Sequence, residues 1–124
     1  EYEFVIPENE YPIRIDINAY IRILNNLLQN VITHSEGNKM TLQIIEDQQQ
    51  AKIIIADNGK GISADNLPHI FERLYQCDAS RSSKGNGLGL AIAKELIGVH
   101  KGNIIVNSSP GVGTEFIITL QKAL

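Results

Sequence analysis

Two asparagines one helical turn apart are the first residues of this sequence whose type and spacing suggest chemistry. Asn26, Asn30 and Thr33 stand at positions i, i+4 and i+7, so a helix would place all three on one face. Asparagine is unfavourable inside a helix, but its amide oxygen is a hard ligand suited to Mg²⁺, which proteins usually hold through few groups plus phosphates. The pattern is typical of a metal and phosphate face. For this helix alone, a solvated polar face is the simpler interpretation.

A carboxylate followed by glycines is the second candidate site. Asp57 ends an apolar run, and Gly59 and Gly61 follow it closely. A carboxylate at a strand end can accept a hydrogen bond from an exocyclic amine such as that of adenine, and glycines let the backbone turn sharply and approach a ligand. Because Asn-Gly is also a strong turn signal, the segment taken alone fits a simple turn as well.

A second glycine segment, residues 84–90, runs from a loop into a predicted helix. Exposed N–H groups and the helix dipole make such a junction a ready anion site. No Gly-Lys-Ser/Thr follows the glycines, so the segment is not a P-loop, and the glycine spacing is not that of a dinucleotide-binding fingerprint. Phosphate binding and a merely flexible loop both remain open here. Residues 111–116 read by themselves as a hairpin turn.

The elements that must position these residues follow from apolar periodicity. Ile21, Leu24, Leu28, Val31 and Ile32 recur at helical spacing. The predicted helices are 17–34, 66–75 and 88–99, with Gly102 closing the last, and the predicted strands are 40–46, 52–57, 103–108 and 114–120. The run Ile53-Ile54-Ile55 predicts a strand buried on both faces. We expect a two-layer α/β sandwich, with helices on one face of a mixed, mostly antiparallel sheet.

Composition narrows the class of protein. The chain has 124 residues, of which 43% are hydrophobic and 20% charged, as expected for one globular domain. A net charge of −3 argues mildly against a nucleic-acid partner. Cys77 is the only cysteine, so no intrachain disulfide is possible and a reducing compartment is the simplest expectation. We expect no leader and no direct membrane contact, and the abrupt ends suggest a fragment of a larger protein.

Five motifs occur together in an order that resembles a known superfamily. They are an N box at residues 26–30, a first glycine box at 57–62, a phenylalanine box at 71–75, a second glycine box at 85–92 and a glycine-Thr motif at 111–114. Together they resemble the ATPase superfamily of gyrase, heat-shock chaperones, MutL and sensor histidine kinases. The similarity is closest to the ATP-binding catalytic domain of the histidine kinases, over residues 12–120. It implies the Bergerat-type ATP-binding fold, with residues 1–124 forming a single domain.

The resemblance implies a role for each matching residue. Asp57 would accept from the adenine amino group, with Thr114 helping through a water, while Gly61 would let adenine lie against the backbone. Asn30 would ligate the Mg²⁺ of Mg-ATP. Asn26 and Asn30 would be the catalytic residues. Residues 72–87 would form a lid over the nucleotide. The residues that would contact ATP are Asn30, Thr33, His34, Asp57, Gly59, Gly61, Ile62, Tyr75, Arg81, Lys84, Gly85, Gly87, Leu88, Gly89, Leu90 and Thr114. For His34, a nucleotide contact and a plain surface histidine are both open.

Three positions bear on the activity that the resemblance implies. Relatives that hydrolyse ATP carry a Glu where this chain has Asn26, and Asn cannot take a proton from water. Thr33 and Gln76 stand where many members carry Lys and Arg, so positive charge near the triphosphate is reduced. Asn26 therefore predicts a domain that binds ATP and hydrolyses it slowly, as suits a kinase. Thr33 and Gln76 predict a lower affinity or transfer rate, unless Arg73, Arg81 or Lys84 compensates.

The acceptor would be a histidine on the parent's own dimerisation domain, and a response regulator would act downstream. The isolated domain should be a monomer, and the parent a membrane-anchored protein with this domain in the cytoplasm. Three alternatives stay open: a stand-alone ATPase, an anti-sigma serine kinase of the same superfamily, and a degenerate docking module that no longer binds nucleotide.

Overall fold

A computed structural model describes residues 2–5, 17–34, 36–47, 49–73 and 89–121. The strands are β1 Tyr2–Val5, β2 Met40–Glu46, β3 Gln50–Asp57, β4 Asn103–Ser109 and β5 Gly113–Gln121. The helices are α1 Ile17–His34 and α2 Gly89–Val99, and Leu67–His69 form one 3₁₀ turn. The predicted first helix, both central strands and the final hairpin are confirmed, with boundaries that shift by one or two residues.

The five strands form one mixed sheet in the order β1-β2-β3-β5-β4. β1 runs parallel to β2, and the other neighbouring pairs are antiparallel. The expected mixed, mostly antiparallel sheet is therefore confirmed. β1 lies outside the predicted strands, although its sequence Tyr-Glu-Phe-Val has the β-branched and aromatic composition that strands favour.

The helices cover one face of this sheet. Ile53 and Ile55 of β3 are almost fully buried, together with Phe116 and Ile118 of β5, in the cluster that also contains buried residues of α1 and α2. Between them Ile54 is only partly buried. The prediction that β3 is buried on both faces is thus wrong, because no described element covers the second face. On that open face Ile45 and Ile105 are 46% and 48% exposed.

The first helix buries a stripe that only partly coincides with the apolar series that predicted it, since Val31 is buried but Ile21 and Ile32 are exposed. Ile23 and Leu27 are 1% and 0% exposed, whereas Ile21 and Ile32 are 50% and 60% exposed. Leu24 and Leu28 pack at the edge of the core. Periodicity identified the helix, but the position of the sheet decided which of its faces became buried.

The predicted helix at 66–75 is wrong over its described part. Only Leu67–His69 are helical, in a 3₁₀ turn, and Asn66 makes no side-chain cap. The N–H groups of His69 and Glu72 donate to carbonyls three residues back, 2.9 Å away in both cases, which is the 3₁₀ pattern. The segment therefore reaches the core as successive tight turns, with Ile70 buried.

Candidate nucleotide-binding site

A row of side chains across the strands forms the first part of the site. Asp57, the last residue of β3, pairs with Thr114 of β5, which in turn pairs with Ser108 of β4. The row lies on the face that carries the core, and Thr114 is 8% exposed. Asp57 Oδ1 accepts a hydrogen bond from the N–H of Gly59 at 2.8 Å. A carboxylate and two hydroxyl groups therefore meet at one end of the sheet.

The first glycine box forms a tight loop that is hydrogen-bonded to the β4–β5 hairpin. The N–H of Gly111 donates to the carbonyl of Lys60 at 2.8 Å, and the N–H of Ile62 donates to Ser108 Oγ at 2.7 Å. Gly61 has φ +74°, and a Cβ built on it would lie 2.2 Å from the carbonyl oxygen of Ser109. No other residue type fits this approach without moving the hairpin. Ile62 packs at the edge of the core.

Asn58 ties the same loop to the segment that follows α1. Its Oδ1 accepts from the backbone N–H groups of Asn38 and Lys39, each at 3.0 Å, and its Nδ2 donates to Asn38 Oδ1 at 2.7 Å. Lys60 Nζ also lies 2.9 Å from Glu36 Oε2, and the two side chains form an exposed ion pair. Asn58 is therefore a structural residue that holds the glycine loop against the segment that follows α1.

The second part of the site lies where α1 meets the start of α2. A Cβ on Gly89 would stand 3.9 Å from both Cβ and Cγ of Asn26, so the two residues are in near contact. Among the described residues, the buried Asn26 Nδ2 has no hydrogen-bond partner. The first four N–H groups of any α-helix also lack acceptors within the helix. The side chain of Asn26, with its unbonded Nδ2 donor, therefore lies beside the N-terminal turn of α2.

The groups available for a cation at this junction are amides. Asn30 lies one turn beyond Asn26 on α1 and is partly buried. No cluster of three or more His, Cys, Asp or Glu side chains occurs within the described ranges. The amide oxygen of Asn30 suits a hard cation that takes its remaining ligands from phosphate oxygens and water, as Mg²⁺ does.

The phenylalanine box is anchored by packing between the layers. Phe71 meets Phe116 of β5 edge to face at 6.5 Å between ring centroids, and Lys94 Nζ of α2 stands 5.1 Å from the Phe71 centroid. Arg73 donates to Glu95 Oε2 of α2 at 3.1 Å. Aromatic and cation–π contacts therefore hold this segment to the core and to α2.

The predicted site residues divide into two spatial groups and an undescribed remainder. Asp57, Gly59, Gly61, Ile62 and Thr114 come together at one sheet end, while Asn26, Asn30, Gly89 and Leu90 belong to the junction of the two helices. Thr33 and His34 lie in the last turn of α1, where only the backbone is described. Tyr75, Arg81, Lys84, Gly85, Gly87 and Leu88 lie outside the described residues, as do Gln76, Cys77 and most of the proposed lid.

Sequence reasoning missed two residues of this arrangement. Ser108 is the hydroxyl partner of Thr114, and Asn58 holds the glycine loop. The signal for Asn58 was present, because Asn side chains commonly bond to backbone groups in turns. For Ser108 no local signal exists, since its partner Ile62 is 46 positions away along the chain.

Comparison with known proteins decides the family. The chain matches the family described as histidine kinase-, DNA gyrase B-, and HSP90-like ATPase over residues 15–124. The chain belongs to this ATPase family. Sensor histidine kinase YvrG of Bacillus subtilis is 38% identical over 125 residues, which cover 98% of this chain and 21% of that protein. This chain of the ATPase family therefore spans about a fifth of the length of that relative.

Solved structures place the domain with the histidine-kinase branch of the family. A mycobacterial sensor histidine kinase, MprB, has a TM-score of 0.81 at 26% identity, covering 98% of this chain and 83% of that one. Full-length ShkA in complex with AMPPNP has a TM-score of 0.82 at 26% identity, covering 99% of this chain and 26% of that one. The resemblance to histidine kinase catalytic domains and the two-layer α/β fold are confirmed. No described helix of this ATPase domain combines the length and apolarity needed to cross a bilayer.

Proposed function

We propose that this chain binds Mg-ATP and donates the γ-phosphoryl group to a histidine on the dimerisation domain of a parent two-component sensor kinase. Residues 1–124 would be the single catalytic domain of that parent. The phosphoryl group would then pass to a response regulator. The chain's relatives are sensor histidine kinases, and it spans only a part of their length. This supports the assignment of ATP binding and of the acceptor histidine to separate domains of the parent.

The observation that carries the proposal is the buried Asn26 Nδ2 atom beside the start of α2, which has no hydrogen-bond partner within the described ranges. A buried donor without an acceptor costs about 1–3 kcal/mol, and the neighbouring helix start adds further donors and a positive dipole end. A triphosphate supplies oxygens that only accept. Its binding would satisfy the Asn26 Nδ2 atom and the first N–H groups of α2 together.

The adenine end would lie at the row formed by Asp57 and Thr114. The carboxylate of Asp57 can accept from the exocyclic amine, and the crowded Gly61 would allow the ring to approach the backbone, with Ile62 lining its edge. The complex of ShkA with AMPPNP supports an adenine nucleotide as the ligand. Thr33, His34, Gly59, Leu88 and Leu90 are proposed as further contacts.

Asn30 is the residue proposed to hold the metal ion, through its amide oxygen. The ion held there would supply positive charge that offsets the negative charge developing on the transferred phosphoryl group. The chain's own contribution would be positioning, from Asn26, Asn30 and the start of α2. The proposed lid over the nucleotide contains Tyr75, Arg81, Lys84, Gly85 and Gly87. Its two cations, Arg81 and Lys84, are proposed to add positive charge near the phosphates.

Asn26 also bears on the choice between kinase and hydrolase. A water molecule bound near the γ-phosphate needs a base, and an uncharged amide cannot serve as one. We therefore expect the domain to keep its bound ATP unhydrolysed until an acceptor histidine approaches. Cytoplasmic placement, a membrane-anchored parent and a monomeric isolated domain complete the proposal.

A calorimetric titration of Asp57→Asn and Asp65→Asn tests the nucleotide site. With Mg²⁺ and a non-hydrolysable ATP analogue, the unsubstituted chain should bind with a Kd between about 1 μM and 1 mM, or about −8 to −4 kcal/mol. Asp57→Asn should weaken binding about 10- to 100-fold, because a hydrogen bond to a charged group is lost.

The control, Asp65→Asn, removes the same charge from an exposed loop position and should leave the affinity unchanged. Thermal melting of both variants first establishes that each is folded. Equal affinities for the two variants would contradict the adenine role of Asp57, and no binding by the unsubstituted chain would contradict the function itself.

A further inference from the structure

The hydroxyl of Ser108 has three neighbours, and their chemistry determines where its single hydrogen goes. The N–H of Ile62 lies 2.7 Å from Ser108 Oγ and can only donate. The carbonyl oxygen of Gly113 lies 3.0 Å away and can only accept. The third neighbour, Thr114 Oγ1 at 2.8 Å, could take either role.

Only one assignment satisfies all three contacts. A serine hydroxyl has one hydrogen and two lone pairs. Its hydrogen must go to Gly113, and one lone pair must accept from Ile62. The remaining lone pair can then only accept, so Thr114 must donate its hydroxyl hydrogen to Ser108. The oxygen of Ser108 is thereby fully used.

This assignment fixes the chemical character that Thr114 presents. With its hydrogen directed to Ser108, Thr114 Oγ1 has only lone pairs left to offer. Its cross-strand neighbour Asp57 is a carboxylate, which also only accepts. The side chains of Asp57 and Thr114 at this end of the sheet then present acceptors alone, and they favour a donor such as the 6-amino group of a purine over a 6-oxo group.

We propose that Ser108 is a specificity-determining positioning residue, which sets the hydrogen-bond direction of Thr114 so that the site selects amino-purine over oxo-purine nucleotides. This inference rests on the proposed function, because it assumes that a purine nucleotide occupies this end of the sheet. Ser108 need not touch the nucleotide. It acts by joining the glycine loop, through Ile62, to the hairpin and to Thr114.

Competition between ATP and ITP on Ser108→Ala tests the assignment. ITP differs from ATP in its base, where a 6-oxo group and an N1–H replace the 6-amino group and the unprotonated N1. Each nucleotide displaces a fluorescent adenine nucleotide in the presence of Mg²⁺. In Ser108→Ala the Thr114 hydrogen is released and can be donated to a 6-oxo group. The ratio of ITP to ATP dissociation constants should fall about fivefold, the factor of one ordinary hydrogen bond.

Two substitutions control for effects that are merely structural. Ser109→Ala removes the neighbouring exposed hydroxyl and should leave the ratio unchanged, while Ser108→Thr keeps a hydroxyl and should retain most of the ATP preference. If Ser108 only stabilised the loop, Ser108→Ala would weaken ATP and ITP alike, and an unchanged ratio would overturn the proposal.

A double-mutant comparison provides an independent route, including the case in which Ser108→Ala alone folds poorly. Thr114→Val removes the hydroxyl through which Ser108 is proposed to act, so it should lower the ATP preference by itself. Adding Ser108→Ala in that background should change the ratio no further. A full ATP preference in folded Thr114→Val would overturn the assignment. If the unsubstituted chain binds neither nucleotide, the proposed function fails instead.

Discussion

At the scale of single residues, crowding distinguishes glycines that look alike in sequence. Gly61 and Gly111 both adopt left-handed backbone conformations, with φ +74° and +78°. A Cβ on Gly61 would meet the Ser109 carbonyl at 2.2 Å, whereas a Cβ on Gly111 would meet nothing within 4 Å. The first glycine is required by both conformation and space, and the second by conformation alone.

Gly61→Ala should therefore lower the free energy of unfolding by about 3 kcal/mol. About 1–2 kcal/mol of this comes from the left-handed backbone, and the rest from forcing the hairpin away. Gly111→Ala is the matched control and should lose only about 1–2 kcal/mol. Urea unfolding of both variants measures the difference. Equal losses would mean that the approach of Gly61 to Ser109 is not tight in the folded protein.

At the scale of elements, the end of α2 is a Schellman motif closed by an unusual residue. The N–H of Gly102 donates to the carbonyl of Ile97 at 2.8 Å, and that of Lys101 to Gly98 at 2.9 Å. Lys101 has φ +62°, in the position where glycine is usual. Gly102 does stand at the end of the helix as predicted. A side chain at this position is excluded by lack of space, because a Cβ on Gly102 would lie 2.7 Å from the carbonyl oxygen of Thr119.

Lys101→Gly should raise the unfolding free energy by about 1 kcal/mol, because it relieves left-handed strain at a small entropic cost. The melting temperature should rise by about 3 °C. Lys101→Ala is the control, since it removes the same charge but keeps the Cβ, and its stability should be unchanged within about 0.5 kcal/mol. An equal rise in both variants would attribute the gain to charge instead of backbone conformation.

At the scale of the whole molecule, both histidines with described side chains are held within the folded ATPase domain. His69 Nδ1 lies 2.7 Å from Glu72 Oε2 on the 3₁₀ turn, and His100 Nδ1 lies 2.8 Å from the Leu96 carbonyl at the end of α2. His34 belongs to the last turn of α1. All three are part of the module that would hold ATP, so the proposed function places the acceptor histidine on a separate domain.

The chain alone, incubated with Mg-ATP, should therefore form no stable phosphohistidine. Phosphate from ATP should appear on the acceptor histidine when the parent's dimerisation domain is supplied separately. Acid-labile phosphate, measured by phosphohistidine-specific detection, distinguishes the two cases. Stable phosphohistidine on the isolated chain would contradict the division between catalytic and acceptor domains.

Much of the fold and part of the candidate site could be predicted because their signals are local or ordered along the chain. Helical spacing identified α1, apolar runs bounded by turn residues identified the central strands and the hairpin, and five motifs in order indicated the family. The strand β1 escaped prediction because its 4 residues are too few to show a distinct apolar pattern bounded by turn signals. The predicted helix at 66–75 was wrong over its described part because the chain approaches the core there through 3₁₀-type turns that bury Ile70.

The sequence by itself determined the family, the order of the elements and the chemical types available to the site. Only the tertiary structure decided which face of α1 is buried, that no described element covers one face of β3, and that the Asn26 Nδ2 atom beside Gly89 has no partner among the described residues. It also decided the direction of the Ser108 hydrogen bonds. The physical reason is common to all four: each depends on groups that are distant along the chain and become neighbours only when the helices pack on the sheet.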